Sequence, residues 1–262
     1  MNRDDSFLDD ALATAREAAD AAARVIAPYW RGGVEVEHKA DATPVTVADR
    51  EAELAIKAVI RAKFPAHGFH GEEFGTEPGD GRHRWLVDPI DGTKSFVRRN
   101  PFFSTQVALM RDHQLVLGVS SAPHFGETAW ARRGGGAWLD GARIRCAATA
   151  RIADAAISFG NLKTLARSDR WSAVAGIVRD ANRTRGYGDF YHYHLLARGA
   201  IDAVVESDVN ILDIAPLVVI LREAGALFTD LEGREPGLDT TSVLAAVPAV
   251  HAELLRRFAS GG

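Results

Sequence analysis

Between Arg84 and Leu139 the chain repeats one pattern: apolar runs too short for helices, separated by residues that turn. The runs are Trp85-Leu86-Val87, Thr105 to Met110, Leu115 to Val119 and Thr128 to Ala131. The breaks Arg111-Asp112-His113-Gln114, Gly134-Gly135-Gly136 and Asp140-Gly141 predict hairpin connections, so the middle of the chain is mostly an antiparallel sheet. Such a sheet must be covered, and sequence on either side supplies the cover. Upstream, Leu8, Leu12, Ala15, Ala19, Ala22, Ile26 and Tyr29 recur at steps of four and three, one face of a long amphipathic helix with Ser6 and Asp9 as its expected capping box. A second helix is predicted from about Val47 to Lys63, with Ala48, Ala52, Ala55, Ile56, Val59 and Ile60 inward, Thr46 as N-cap and Phe64-Pro65 as the stop.

After about Cys146 strands and helices alternate. Strands are predicted at Ala156 to Phe159, Thr184 to Tyr187, Ile201 to Val205, Ala226 to Thr229 and Val243 to Val247. Helices are predicted near Asp169 to Asp180, from Asp189 to Arg198, from Ile214 to Ala224 and at the end of the chain. The change of pattern sets a boundary near residue 147: an N-terminal α+β part, 1–146, and a C-terminal α/β part, 147–262. No internal repeat is present, and the stretch Glu77 to Gly81 reads as a surface loop.

The 262 residues, 47% hydrophobic and 25% charged, have the proportions of an ordinary globular protein. A net charge of −4 gives no basic field to hold nucleic acid or an anionic membrane, which leaves small molecules as partners. Met1 to Asp10 holds four Asp and no apolar core of a secretory signal, and no run approaches the ~18 apolar residues of a membrane span. The single cysteine, Cys146, excludes an intrachain disulfide and a cysteine-based zinc cage. A cytoplasmic enzyme fits these properties.

The chemistry is carried by acidic residues. Trp85-Leu86-Val87 delivers Asp88 to a strand end, and Asp88-Pro89-Ile90-Asp91-Gly92-Thr93 sets two carboxylates three residues apart. Gly71-Glu72-Glu73 stands upstream and Asn210-Ile211-Leu212-Asp213 opens a helix downstream, with Asp49 in the first turn of the second helix. If these carboxylates converge, each pair ~4 Å apart repels by roughly 4 kcal/mol at an effective dielectric of ~20, so the cluster needs cations. Hard oxygen donors without nearby His or Cys suit Mg²⁺, which also holds phosphate oxygens. The amides of Gly92 to Lys94 at a helix start would accept a phosphate. Carboxylates, metal and anion cradle together describe phosphoryl hydrolysis. Taken singly, each element has an ordinary reading: Asp-Pro and Asp-Gly as turns, Asp213 as an N-cap, Asp49 as a dipole partner, Glu72-Glu73 as a solvated turn.

Taken in order, Asp49, Gly71-Glu72-Glu73, Asp88 to Thr93 and Leu212-Asp213 resemble the signature of the inositol monophosphatase-like family of Mg²⁺-dependent, Li⁺-sensitive phosphatases over nearly the whole chain. The resemblance implies a layered αβαβα sandwich, as in inositol monophosphatase and fructose-1,6-bisphosphatase, and a homodimer. By the family pattern, two to three Mg²⁺ ions are implied. Glu72, Asp88 and the Ile90 carbonyl would hold the first, and Asp88, Asp91 and Asp213 the second. The amides of Gly92 and Thr93 would bind phosphate. Asp49 and Thr93 would position the attacking water near a weaker third metal, which makes Asp49, Thr93 and Glu72 the catalytic set. The reaction would be an in-line displacement without a phosphoenzyme. Leu212 stands where the family commonly has Trp, which removes a packing group but no ligand. Lys39, in the loop before Asp49, resembles a mobile-loop lysine near the site.

Within the family, Asp91-Gly92-Thr93-Lys94-Ser95-Phe96, Ser121-Ala122-Pro123, Arg132-Arg133-Gly134-Gly135-Gly136-Ala137-Trp138 and Arg185-Gly186-Tyr187-Gly188-Asp189-Phe190 resemble the histidinol-phosphatase branch. Inositol-type members tend to have a small-residue run where this chain has Gly188-Asp189-Phe190-Tyr191. Asp189 and Glu206, with Asp91, would face a cationic amine or imidazole. The alternatives are an inositol-1-phosphate or sugar-phosphate phosphatase, a 3′-phosphonucleotide phosphatase and a catalytically silent binding protein. Among the remaining residues, His192 and His194 are two apart on a helix and do not face each other, so no joint zinc site is expected. His67 and His70 read as surface or supporting residues, Arg98-Arg99 as a solvated pair, Gly134 to Gly136 as a hairpin turn and Cys146 as an inert thiol.

Overall fold

The computed structural model describes residues 3–32, 36–38 and 44–259. Lys39 lies outside them. Helix α1 (Arg3–Gly32) packs against α2 (Val47–Lys63), which follows a two-stranded ribbon, β1 (Val36–His38) and β2 (Pro44–Thr46). The chain then builds β3 (Gly68–Gly71), β4 (Gly75–Glu77) and β5 (His83–Asp91), a one-turn helix α3 (Thr93–Val97), and β6 (Ser104–Arg111), β7 (Gln114–Ala122), β8 (Glu127–Arg132), β9 (Gly136–Leu139) and β10 (Ala142–Ile144). These form one eight-stranded sheet in the order β10-β9-β8-β7-β6-β5-β3-β4, antiparallel except for the β3/β5 pair. The three expected hairpin turns join β6 to β7, β8 to β9 and β9 to β10.

A second sheet follows from β11 (Ala156–Phe159), α4 (Leu162–Arg167), α5 (Trp171–Asp180), β12 (Arg183–Arg185), α6 (Asp189–Ala197), β13 (Ala203–Ser207), α7 (Ile211–Ala224), β14 (Leu227–Thr229), β15 (Ser242–Ala246) and α8 (Pro248–Ala259). Its order is β12-β11-β13-β15-β14, parallel on the β12-β11-β13 side and antiparallel on the other.

Alternation along the strands explains the layering. Trp85, Val87, Val107 and Leu109 face α1 and α2, where they bury Ala15, Ala22, Ile26, Ala52 and Ile56, whereas Leu86, Ala108 and Met110 face the opposite way into a core with Leu217, Val218 and Leu221 of α7. Helices α6 and α7 are covered in turn by the small sheet, and α4, α5 and α8 close its outer face, giving an αβαβα sandwich. Two details let α7 lie close to the large sheet. Gly118 leaves no room for a Cβ, which would collide with the backbone of Pro216, and Glu223 accepts hydrogen bonds from the amides of Gly134 and Gly136, both at 2.8 Å.

Four expectations shift. Ser6 and Asp9 are not a capping box, because α1 already runs from Arg3; Asp9 instead pairs with Arg132, and Asp4 with Arg111 at 2.6 Å, tying the helix to the sheet. Helix α7 starts at Ile211, three residues early, because Pro216 inside it disguises the first turn as a break. The short α4 went unread, since six residues carry too little periodicity to declare a helix. Strand β12 covers Arg183–Arg185, ahead of the apolar-looking Tyr187.

Candidate active site

The parallel strands β3 and β5 end side by side, so Glu72, whose amide donates to the Val87 carbonyl at 3.2 Å, emerges next to Asp88. Pro89 cannot donate to the ladder, and the pairing of β5 with β6 is irregular between Asp88 and Asp91. The irregular stretch is pinned by Thr105 Oγ1, which donates to the Pro89 carbonyl at 2.8 Å, and by the Ile90 amide, which donates to Asp88 Oδ1 at 2.9 Å. Gly92 follows with φ 88°, and a Cβ there would stand 2.6 Å from the Phe102 carbonyl, so only glycine makes this turn into α3. The first amides of α3 have no partner within the helix. Thr93 Oγ1 donates to the Ile90 carbonyl at 3.0 Å and lies 3.4 Å from Asp49 Oδ1.

Two helix starts deliver the remaining carboxylates by the same device. Thr46 caps α2, and Asp49 returns the bond as the third helical residue, its Oδ2 accepting from the Thr46 amide at 2.8 Å and hydroxyl at 2.6 Å. Asn210 caps α7, and Asp213 accepts from its amide at 2.9 Å and side-chain nitrogen at 2.7 Å. Asp213 is therefore the third residue of a capping box and not the N-cap. These arrangements bring carboxylate oxygens of Asp88, Asp91 and Asp213 within 4.8 Å of one another, with Glu72 in hydrogen-bonding reach of Asp88. Burial raises Asp88 and Asp91 well above the ordinary carboxylate range, and the charges of neighbouring carboxylates add to it. Burial likewise pushes Asp213 to about 7 and Asp49 to about 6. A group of hard oxygens driven toward protonation by burial and by one another's charge is a donor set that fits Mg²⁺.

Asp189 and Glu206 open onto the same pocket as Asp91 and Asp213, which Asn161, Phe190, Tyr193 and Asp208 also line, with no lysine or arginine among the described residues of its walls. Glu206 is buried, not solvated: its Oε2 accepts from Tyr193 Oη at 2.6 Å and meets His192 Nε2 at 3.1 Å. Asp189 makes no capping bond. Gly188 holds the N-cap position of α6, and Asp189 sits in the left-handed region at φ 45°, a strained conformation for a side-chain-bearing residue. Burial and then the Glu206 charge raise Asp189 to about 6.

Other side chains fall where the sequence placed them or reveal what it hid. His192 faces Ser158 and Glu206, while His194 faces Ser120 and Glu127 in the large sheet, so the two share no site. Arg98 and Arg99 are exposed, and burial raises the Cys146 thiol rather than activating it. His67 is buried, contrary to a surface role. With Asp80 and His83 it makes a second cluster of metal-type donors, but the Trp85 indole donates to its Nδ1 at 3.1 Å, which leaves its proton on Nε2 and no free nitrogen for a cation. The sequence missed Glu53, buried on α2 one turn after Asp49, whose carboxylate takes the Glu73 amide at 2.7 Å and the Phe74 amide at 3.2 Å and so holds the loop carrying Glu72. The i, i+4 spacing from Asp49 was the available signal.

With fold and site in view, comparison places the chain: it belongs to the inositol monophosphatase family, whose profile matches residues 8–260. It is similar to the histidinol-phosphatase of Mycobacterium tuberculosis, 37% identical over 266 residues with all of each chain covered. The histidinol-phosphatase of Streptomyces coelicolor is 36% identical over 259 residues, covering 95% of this chain and 96% of its own. Among solved structures, the extragenic suppressor protein suhB of Bartonella henselae superposes with a TM-score of 0.89 at 28% identity, covering 97% of this chain and all of its own.

Proposed function

We propose that this chain is a Mg²⁺-dependent phosphomonoesterase that hydrolyses L-histidinol phosphate to L-histidinol and phosphate. The observation that carries the substrate is the pocket beside the carboxylate cluster, walled by Asp91, Asp189, Glu206 and Asp213 without a basic side chain among the described residues. A phosphate ester whose other end is cationic complements such a pocket, whereas a polyol brings no charge to set against Asp189. The likeness to histidinol-phosphatases over the full length supports the same reading.

In this reading Glu72, Asp88, Asp91, Asp213 and the Ile90 carbonyl hold the cations, two to three per site. Bound Mg²⁺ lowers the pKa of a water and neutralises charge on the phosphate. The chain's own groups do the rest. The amides of Gly92 and Thr93 receive the phosphate oxygens at the start of α3. Thr93 Oγ1 and Asp49 Oδ1 orient the attacking water for in-line displacement, Asp49 takes its proton as the new P–O bond forms, and the departing alcohol oxygen takes a proton from solvent as the ester P–O bond breaks. Glu72 is kept in place by the loop that Glu53 grips. Asp189 and Glu206 seat the amine and imidazole. A cytoplasmic homodimer, with the site at the meeting of the parts 1–146 and 147–262, completes the proposal.

The substrate assignment is tested by Asp189→Asn, assayed on L-histidinol phosphate and on a neutral aryl phosphate. Removing one charge-assisted contact is expected to lower kcat/KM for histidinol phosphate by about 10-fold or more while leaving the aryl ester within about 3-fold. Equal losses on both esters overturn the role of Asp189.

A further inference from the structure

Ser104 and Gln106 point to the same side of β6, two residues apart, and stand opposite Asp91 and Asp88 in the pairing with β5. Both are buried. Gln106 Nε2 donates to Ser104 Oγ at 2.8 Å, and Ser104 Oγ donates to Asp91 Oδ2 at 3.2 Å. The order of this chain is fixed by proton count. With Asp91 ionised to hold a cation, as proposed, its carboxylate only accepts, so the single hydroxyl proton of Ser104 is committed to Asp91, and its oxygen then needs a donor from behind. The amide nitrogen of Gln106 is that donor. The opposite amide orientation would set two acceptors against one proton. The orientation that serves Asp91 has a visible cost, because Gln106 Oε1 is left buried without a partner among the described residues. Its neighbours Val107 and Ala108 are fully buried apolar residues, and an aliphatic side chain at 106 would remove that orphaned oxygen together with the donor to Ser104.

From this geometry we infer that Gln106 and Ser104 form a directional donor relay that anchors Oδ2 of Asp91 and thereby fixes the plane in which its carboxylate meets the cation. They are positioning residues, acting on the site only through Asp91, and the inference rests on the reading of Asp91 as a Mg²⁺ ligand. Asp91 shares its pocket with Asp189, Glu206 and Asp213, and Ser104 Oγ is the hydroxyl that holds its Oδ2. Outer partners of ligating side chains change metal affinity by roughly 10- to 100-fold.

The test is calorimetric titration of the full chain with Mg²⁺ alone, for wild type, Ser104→Ala, Ser104→Thr, Gln106→Leu and the Ser104→Ala/Gln106→Leu double variant, together with thermal melts in EDTA. Ser104→Ala is expected to weaken Mg²⁺ binding about 10-fold, Gln106→Leu less, and the double variant no further than Ser104→Ala, because both residues work through one bond. Ser104→Thr, which keeps the hydroxyl, restores binding to within about 3-fold of wild type. Gln106→Leu raises the melting temperature in EDTA by removing the orphaned oxygen while it weakens Mg²⁺ binding, a divergence that a merely structural role does not produce. Wild-type Mg²⁺ affinity in Ser104→Ala, or additive losses in the double variant, overturns the relay while leaving the metal site standing. Absence of Mg²⁺ binding by the wild-type chain overturns the metal reading itself, and the relay with it.

Discussion

Each carboxylate of the cluster is poor for folding and useful for binding a cation. Asp88 illustrates the conflict: it is buried, touched by Glu72, and repelled by Asp91 and Asp213. Asp88→Asn removes one charge from this group and keeps the shape. It is expected to abolish Mg²⁺-dependent phosphate release by more than about 100-fold and to raise, not lower, the melting temperature of the metal-free chain. A destabilised metal-free variant would show that Asp88 is held by contacts the repulsion argument ignores. The site residues legible in the sequence are those whose type is improbable in their setting, such as Asp88 after Trp85-Leu86-Val87, or Asp213 before an apolar helix. Ser104, Gln106 and Glu53 were illegible for the opposite reason. A serine and a glutamine inside Thr105 to Met110 and its edge read as strand filler, and a glutamate on a helix reads as solvated face, although Glu53 and Gln106 are completely buried.

Elements place these residues through close fits that sequence periodicity does not encode. Asp49 and Asp213 both occupy the third position of a helix whose N-cap they bond in return, so one local motif sets Asp49 beside Thr93 and Asp213 beside Asp88 and Asp91. Thr46 and the first of these boxes were readable from the spacing Thr-x-x-Asp. The second was hidden because Pro216 broke the helical pattern, yet that proline is also what Gly118 packs against. Gly118→Ala forces a methyl group into the Pro216 backbone, and overpacking of this kind costs about 1–3 kcal/mol. The expected result is a melting temperature several degrees lower, with loss of activity following from the shift of α7 and Asp213. An unchanged melting temperature would mean that α7 can move away from the sheet freely.

Over the whole molecule, the raised carboxyls make stability depend on pH in a direction opposite to that of salt-bridged acids. Asp49 and Asp189 stand at about 6, Asp213 and Glu53 at about 7, all above their ordinary values because of burial. The folded chain therefore holds protons that the unfolded chain has already released between about pH 4 and 7, and stability is lost as pH rises through that window. In EDTA the melting temperature is expected to fall from pH 5 to pH 8, and the increase produced by Mg²⁺ to be larger at pH 8 than at pH 5, since the cation replaces the missing protons. A flat profile in EDTA would contradict this. The antiparallel sheet and the later alternation of strands and helices were readable from the residue pattern, and the αβαβα layering was implied by the family resemblance, because both depend on patterns spread over many residues. In the proposed reading, discrimination among phosphate esters depends instead on the acidic side chains around one pocket, Asp91, Asp189, Glu206, Asp208 and Asp213. The most direct test is phosphate release from L-histidinol phosphate and from inositol 1-phosphate in parallel, with Mg²⁺ and with EDTA. The expected result is Mg²⁺-dependent release with a strong preference for histidinol phosphate. Preference for inositol 1-phosphate, or release that survives EDTA, would contradict the account.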